Sequence, residues 1–245
     1  MRLSLLTWME VNAYLQHSKG IVIPIGSTEQ HGPNGLIGTD AICPEIIAIE
    51  AAHSAGFMVA PTFSVGMAQH HLGFSGTISL QPSTMIAVLK DWVASLGRHG
   101  FTHLYFLNGH GGNAATIDAA FSEIYAAFSF RGETAPLRLT RRNWWDLPGI
   151  MALSRQMYPR GLGSHATPSE VAVTYYAYPE ARKTVAMTPK IAPNGPIRDA
   201  SDYRRRFPDG RIGSDPSLAD AEGGRRLVEA SALALITDYQ SFLET

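Results

Sequence analysis

The chain has 245 residues, 45% of them hydrophobic, enough to bury one substantial α/β core and short for two, so a single domain over residues 1–245 is expected. Lys and Arg number 20 against 21 Asp and Glu, a formal charge of −1, which argues against a nucleic-acid partner and for a small ligand. The single cysteine, Cys43, cannot form an internal disulfide, Glu10 sits where a signal peptide would still be apolar, and no apolar run approaches the roughly 20 residues that span a bilayer, so a cytoplasmic protein without membrane insertion is expected.

Short β-rich apolar runs alternate with longer helix-patterned ones, as parallel strands joined by crossover helices do. Residues 21–25 (IVIPI) make the first strand, residues 40–55 the helix that Gly56 ends, and residues 57–60 the second strand. Residues 83–98 then form a helix closed by Gly100, residues 101–107 (FTHLYFL) the third strand, residues 113–128 a helix before Gly132, and residues 137–140 the fourth strand. Residues 188–215, rich in Pro, Gly and Arg, read as a long surface excursion of the kind that covers sites, and residues 217–243 as a last helix. Within the excursion, Arg204, Arg205 and Arg206 read as a solvated face rather than a binding patch.

Three stretches carry chemistry. The first, GSTEQHGPNGLIGTD (residues 26–40), follows directly on the first strand and so lies at a strand's carboxyl end, where parallel α/β sheets bind ligands. Glu29 and His31, two apart on an extended segment, project to the same side, and the glycines after them let the backbone return Asp40 to their vicinity. Asp40 reads equally well as the N-cap of the helix it precedes. The second, NGHGGN (residues 108–113), places His110 at another strand's carboxyl end among glycines that leave its ring unobstructed. The third, GSHATPSE (residues 163–170), sets His165 and Glu170 around Pro168, which suits a helix start; taken alone, Glu170 would simply complement that helix's dipole, a contribution of about 0.3–1 kcal/mol. Two histidines and three carboxylates together form a mixed nitrogen and oxygen set suited to Zn²⁺, Mn²⁺ or Fe²⁺. A two-metal centre is the natural reading, with a carboxylate such as Asp40 shared between the ions and a shared water losing a proton to become a nucleophile; hydrolysis follows.

In order and spacing these stretches resemble the creatininase, or creatinine amidohydrolase, family: GSTEQHGP with GTD downstream, NGHGGN, and His-Ala followed by Glu in SHATPSE. GSDPSLADAEGGRRLVEA from Gly213 is similar to the family's Gly-Asp-Pro segment before its last helix, and FSGTISL from Phe74 to its substrate-loop segment. The resemblance implies a three-layer α/β/α fold with a mostly parallel central sheet, two divalent metal ions per chain with Zn²⁺ first and Mn²⁺ or Fe²⁺ as alternatives, and a homohexamer. It also implies one ion on Glu29, Asp40 and His110 and a second on His31, Asp40 and Glu170. A hydroxide bridging the ions would attack an amide carbonyl while His165 protonates the departing nitrogen.

The chain departs from creatinine-hydrolysing members after His110, where it has Gly-Gly-Asn and they have a tyrosine and then a metal-binding glutamate. Members with NGHGGN look to use the glutamate of the later His-Ala motif, hence Glu170, and losing the tyrosine points away from creatinine as substrate. The expected function is therefore a metal-dependent amidohydrolase that cleaves a cyclic or linear non-peptide amide. The alternatives are a deformylase acting on a formamido-pyrimidine nucleotide, a small peptidase, and a metal-binding protein without catalysis. A phosphorylated substrate would call on Arg141, Arg142, Arg160 or Arg198. No phosphate-loop motif follows any strand, which disfavours a Rossmann-like binding protein. Trp144 and Trp145 suit either an aromatic wall over the ligand or a subunit contact, His70 and His71 precede the substrate-loop segment, and Cys43 reads as packing.

Overall fold

The structure, a computed structural model, describes residues 1–245. Its sheet has four parallel strands, β1 (Gly20–Ile25), β2 (Met58–Val59), β3 (His103–Asn108) and β4 (Arg138–Asn143), in the order β2-β1-β3-β4. Successive side chains of a strand point to opposite faces, so Ile21, Ile23, Ile25, Leu104 and Phe106 enter one core while Val22, Tyr105 and Leu107 enter another. Both faces of β1 and β3 are thereby buried, which is why these strands read as continuous apolar runs.

The first core is closed by α1 (Trp8–Tyr14), α3 (Pro82–His99) and α4 (Ala114–Ser129), through Tyr14, Met85, Leu89, Ile117 and Ala120. The second is closed by α2 (Thr39–Ala55) and α8 (Ala221–Leu243), through Ile47, Ala51, Leu227 and Leu235, with Ile150 of α5 (Ile150–Met157) and Val173 of α6 (Pro168–Ala177) joining it. This is the expected three-layer α/β/α arrangement. No helix is long and apolar enough to cross a membrane.

Several elements differ from the sequence reading. Strand β4 runs to Asn143 because it is an edge strand: Arg141 and Arg142 pair outward with Asp118 and Asp238, so its polar residues need not interrupt it. Helix α1 was signalled only by a capping box, in which Thr7 accepts from the Glu10 amide and the Glu10 carboxylate accepts from the Thr7 amide. Residues 188–215 are a packed cover rather than a plain surface excursion. They contain α7 (Ala200–Arg206), bury Tyr203, Phe207 and Ile212 together, and are drawn in by the fully buried Arg211, which donates to the carbonyls of Pro189, Lys190 and Ser214 and pairs with Asp209. Arg205 and Arg206 stay on the outer face, both paired with Asp202.

The first turn of α2 is wedged between the carboxyl ends of β1 and β3. A Cβ on Gly26 would lie 2.1 Å from the Asp40 carbonyl oxygen and one on Gly109 2.0 Å from it, so only glycine allows the strand ends to close on this turn. The same carbonyl has no α-helical donor, because position 44 is proline. This packing sets where Asp40 stands. Gly109→Ala is expected to destabilise the fold by about 1–3 kcal/mol through overpacking against backbone, read as a lowered denaturation midpoint; an unchanged midpoint would mean that the wedge does not hold α2.

Candidate metal centre

Glu29 and His31 follow β1, His110 follows β3, and Asp40 lies in the first turn of α2, so all four meet above the carboxyl end of the sheet. The N-cap position of α2 belongs to Gly38, and Asp40 makes no capping bond; its carboxylate turns instead to two imidazoles. Its Oδ1 is 2.9 Å from His31 Nε2 and its Oδ2 2.9 Å from His110 Nδ1. Each ring is fixed by its other nitrogen: His31 Nδ1 donates to the Glu29 carbonyl at 3.1 Å and His110 Nε2 to the Met67 carbonyl at 3.0 Å. A carbonyl can only accept, so the nitrogens facing Asp40 are left with lone pairs unless a further proton binds them. Lone pairs aimed at a carboxylate call for a cation between them.

Two overlapping ligand sets result. Ligand atoms of Glu29, Asp40 and His110 lie within 4.8 Å of one another, as do those of His31, Asp40 and Glu170, with Asp40 common to both; Glu29, His31 and His165 form a third such group. Glu170 also closes the capping box that starts α6, with its Oε1 2.5 Å from the Thr167 amide. Glu29 Oε1 and Asp40 Oδ2 are buried, and the only polar side-chain atoms within 3 Å of them are imidazole nitrogens, His71 Nε2 and His110 Nδ1, each at 2.9 Å. Buried carboxylate oxygens met by imidazoles fit divalent ions, and the donor set suits Zn²⁺, Mn²⁺ or Fe²⁺.

The electrostatics agree. Burial opposes charging of His31 and His110, but Asp40 outweighs it for the first and Glu29 with Asp40 for the second, raising them to about 10 and about 9. Burial would raise Asp40 too, yet His31 and His110 hold it well below the ordinary carboxylate range. Burial raises Glu29 to about 8 and also lifts Glu170. The metal-free site therefore stores protons at neutral pH in place of cations.

His165 stands beside this cluster, its ring centroid 4.6 Å from that of His31 and its Nδ1 3.9 Å from Glu29 Oε1. Its Nε2 donates to the Gln30 carbonyl at 2.8 Å, and burial keeps it well below the ordinary imidazole value. The covering segment holds it from behind: Ser214 Oγ donates to the His165 carbonyl at 2.6 Å, and the Ser164 amide to the Ile212 carbonyl at 3.0 Å. Ala166, next in sequence, has φ of 53°, a left-handed conformation unusual for alanine, where the chain turns from His165 into the α6 cap.

Sequence reasoning did not single out several residues that shape the site. Gln30 lies between two candidate ligand positions, and its amide nitrogen stands 3.0 Å from both His71 Nδ1 and His165 Nε2 while donating to Tyr203 at 3.1 Å and to the Gly210 carbonyl at 3.0 Å. Asn113 donates to the Gly26 carbonyl and accepts from the Met67 amide, both at 2.9 Å, while Asn108 accepts from the His110 amide at 3.2 Å, so the two asparagines of NGHGGN lock the histidine loop to β1. A Cβ at Gly112 would lie 2.4 Å from His110 Nε2 and 2.8 Å from the Met67 carbonyl oxygen, so this loop has no room for a side chain there. His71, which the sequence reading places just before the substrate-loop segment, has its Nε2 2.9 Å from Glu29 Oε1 and so stands against a candidate ligand.

The cluster opens into a cavity of about 640 Å³ bounded by His70, Trp144, Trp145, Met151 and Tyr203. Trp144 is buried at 2% exposure, so it packs in the core and contributes to the wall at once. Of the arginines considered for an anionic substrate, Arg141, Arg142 and Arg198 are paired with Asp118, Asp238 and Asp202, Arg160 borders a separate cavity, and none lines this one. Arg155 of α5 does.

The family profile described as "Creatininase: Creatinine amidohydrolase" matches residues 4–238. The chain belongs to the creatininase family. It is 29% identical over 190 residues to creatinine amidohydrolase of Pseudomonas putida, covering 71% of each chain. It is 28% identical over 225 residues to mycofactocin precursor peptide peptidase of Mycobacterium ulcerans, covering 84% of this chain and 79% of that one. Among solved structures, creatininase Mn superposes with a TM-score of 0.83 at 24% identity over 98% of this chain and 97% of that chain. A mutant creatininase of Zn-Zn type does so at 0.83 and 23% over the same shares. These likenesses show the fold, and the family makes the chain a metal-dependent amidohydrolase.

A consequence for pH follows from the raised values. His31 and His110 lose their extra protons only near pH 10 and 9, and Glu29 near pH 8, so a cation entering at pH 7 must displace protons. Affinity for Zn²⁺ is expected to rise from pH 6 towards pH 9, with protons released on binding. Calorimetric titrations in two buffers of different ionisation enthalpy would differ by the heat of the protons taken up; identical enthalpies in both would contradict this.

Proposed function

We propose that this amidohydrolase holds two divalent ions per chain, one on Glu29, Asp40 and His110 and one on His31, Asp40 and Glu170, and hydrolyses a carbon-nitrogen bond of a small amide. The observation that carries this reading is the Asp40 carboxylate, whose two oxygens face imidazole nitrogens belonging to two different ligand sets. Two such ions, held by these residues, would supply the Lewis acidity that activates water and polarises an amide carbonyl. Zn²⁺ is the first expectation, with Mn²⁺ or Fe²⁺ suited by the same donors.

The protein's own residues do the rest. Glu29, Asp40 and Glu170 supply the negative charge that makes cations favourable in a buried place. His165 keeps Nε2 on the Gln30 carbonyl, so Nδ1 is the free base; burial leaves it neutral at rest, and it accepts the proton of the attacking water at Nδ1 and passes it to the departing nitrogen. Trp144, Trp145 and the segment carrying Tyr203 confine the substrate and limit water to the reacting side. Because Gly111 and Gly112 stand where creatinine-hydrolysing members carry tyrosine and glutamate, the substrate is an amide other than creatinine.

A small peptide is the second reading, favoured by the peptidase relative that spans 84% of this chain and by a cavity roomy enough for more than a single small ring. The protein works in the cytoplasm as a homo-oligomer, a hexamer on family resemblance; Leu5, Trp8 and Met9, between 64% and 74% exposed near the amino terminus, offer apolar surface for such an assembly.

Asp40→Ala is expected to abolish turnover together with ion binding at both positions. His165→Ala should retain the ions and lower kcat by about 10²–10⁴-fold. Assays of both variants against a panel of cyclic amides, formamides and dipeptides, alongside equilibrium dialysis with Zn²⁺, check this; an Asp40→Ala protein that keeps its ions, or a His165→Ala protein that keeps its kcat, contradicts the assignment.

A further inference from the structure

The cavity above the candidate centre contains one permanent cation. Among its lining residues the ionisable groups are the carboxylates Asp40 and Glu170, the histidines His70, His71, His110 and His165, the phenol of Tyr203, and Arg155; no other arginine and no lysine lines it. Arg155 lies in the last turn of α5, is exposed, and takes part in no ion pair or side-chain hydrogen bond. Nine of the chain's 16 arginines are held in ion pairs, Arg2 to Glu45, Arg141 to Asp118, Arg142 to Asp238 and Arg211 to Asp209 among them, and Arg155 is not.

The position of α5 matters as well. The helix follows Trp144 and Trp145, which follow the end of β4, so Arg155 comes from the β4 side of the cavity, while the candidate ligands come from the ends of β1 and β3. The cavity reaches from the ligand cluster to Trp144, Trp145 and Arg155, so a substrate with its amide over the cluster would have the β4 wall within the same cavity for its other end. Two divalent ions on the cluster would largely balance the charges of Glu29, Asp40 and Glu170, and Arg155 is the one arginine or lysine of the wall outside it.

We infer that Arg155 is a specificity-determining residue that binds a carboxylate on the substrate, so the preferred substrates are amides carrying a free carboxylate away from the scissile bond. This rests on the hydrolase reading above and narrows its substrate class. One guanidinium offers two parallel N–H donors that match a carboxylate in fork geometry. A phosphate dianion would leave a second charge uncompensated, because no second cation is present in the wall. A nucleotide is therefore the poorer fit, and a short acid such as an N-acyl amino acid or a dipeptide the better one. Helix-dipole stabilisation by Arg155 at the end of α5 is compatible with this binding, since the guanidinium has no competing partner.

The test uses the metal-loaded full chain and matched pairs that differ only in charge. Binding of N-acetylglycine and N-acetylglycinamide would be followed by calorimetry on the wild type, Arg155→Ala and Arg155→Lys. Hydrolysis of an N-formyl amino acid, a dipeptide and a five-membered cyclic amide, each as free acid and as primary amide, would be measured in parallel. The acid should bind wild type about 10-fold or more tighter than the amide, the scale of one charge-assisted bidentate contact. The ratio should collapse towards 1 in Arg155→Ala and recover in part in Arg155→Lys. Equal preference for the acid in wild type and Arg155→Ala would mean that the ions alone hold the carboxylate, and would overturn the proposal; so would a wild type that binds both members alike. Because binding is read without turnover, failure to hydrolyse any of the amides would count against the hydrolase reading alone.

Discussion

The carboxylate of Asp40 is shared between two imidazoles, and most of the site is arranged around that one interaction. A buried carboxylate is costly unless compensated. Here His31 faces one oxygen and His110 the other, each turned by a carbonyl behind it, and the compensation comes from the proton or cation that these two nitrogens hold against the carboxylate. The backbone pays attention to the same point: Gly26 and Gly109 let the ends of β1 and β3 close on the Asp40 carbonyl, and Asn113 binds the Gly26 carbonyl and the Met67 amide together. A side chain at Gly26 or Gly109 would meet the Asp40 backbone directly, so the frame is tightest where the carboxylate is placed.

Fold and site are linked by topology. A parallel sheet gathers the carboxyl ends of its strands at one edge of the molecule, so residues far apart in sequence meet there without long connections. The remaining pieces arrive from the second half of the chain: α6 brings Glu170 on its first turn, and the segment through Tyr203 and Ser214 braces the loop bearing His165. Glu170 illustrates economy of means, since its carboxylate caps a helix and also lies within reach of His31 and Asp40.

Much of this was legible in the sequence for a physical reason. The strands β1 and β3 are buried on both faces and so announce themselves as apolar runs, and the glycine-rich segments that follow them carry side chains with few structural uses. Glu29, His31 and His110 were visible on those grounds. Asp40 was ambiguous between cap and ligand; in the structure Gly38 takes the N-cap position and the Asp40 carboxylate faces His31 and His110 instead. What stayed hidden depends on contacts between distant segments. Gln30 meets Tyr203 across 173 positions, Trp144 serves core and cavity together, and residues 188–215 look irregular because their order comes from the buried Arg211 rather than from a periodic pattern. Arg155 was missed because α5 is short and its amphipathic pattern covers barely two turns.

Anomalous diffraction from crystals of the protein grown with Zn²⁺ would test the shared-carboxylate account most directly. The account predicts two peaks per chain, one on either side of the Asp40 carboxylate, the first touching Glu29 and His110 and the second His31 and Glu170. A single peak, or two peaks of which Asp40 touches only one, would contradict it.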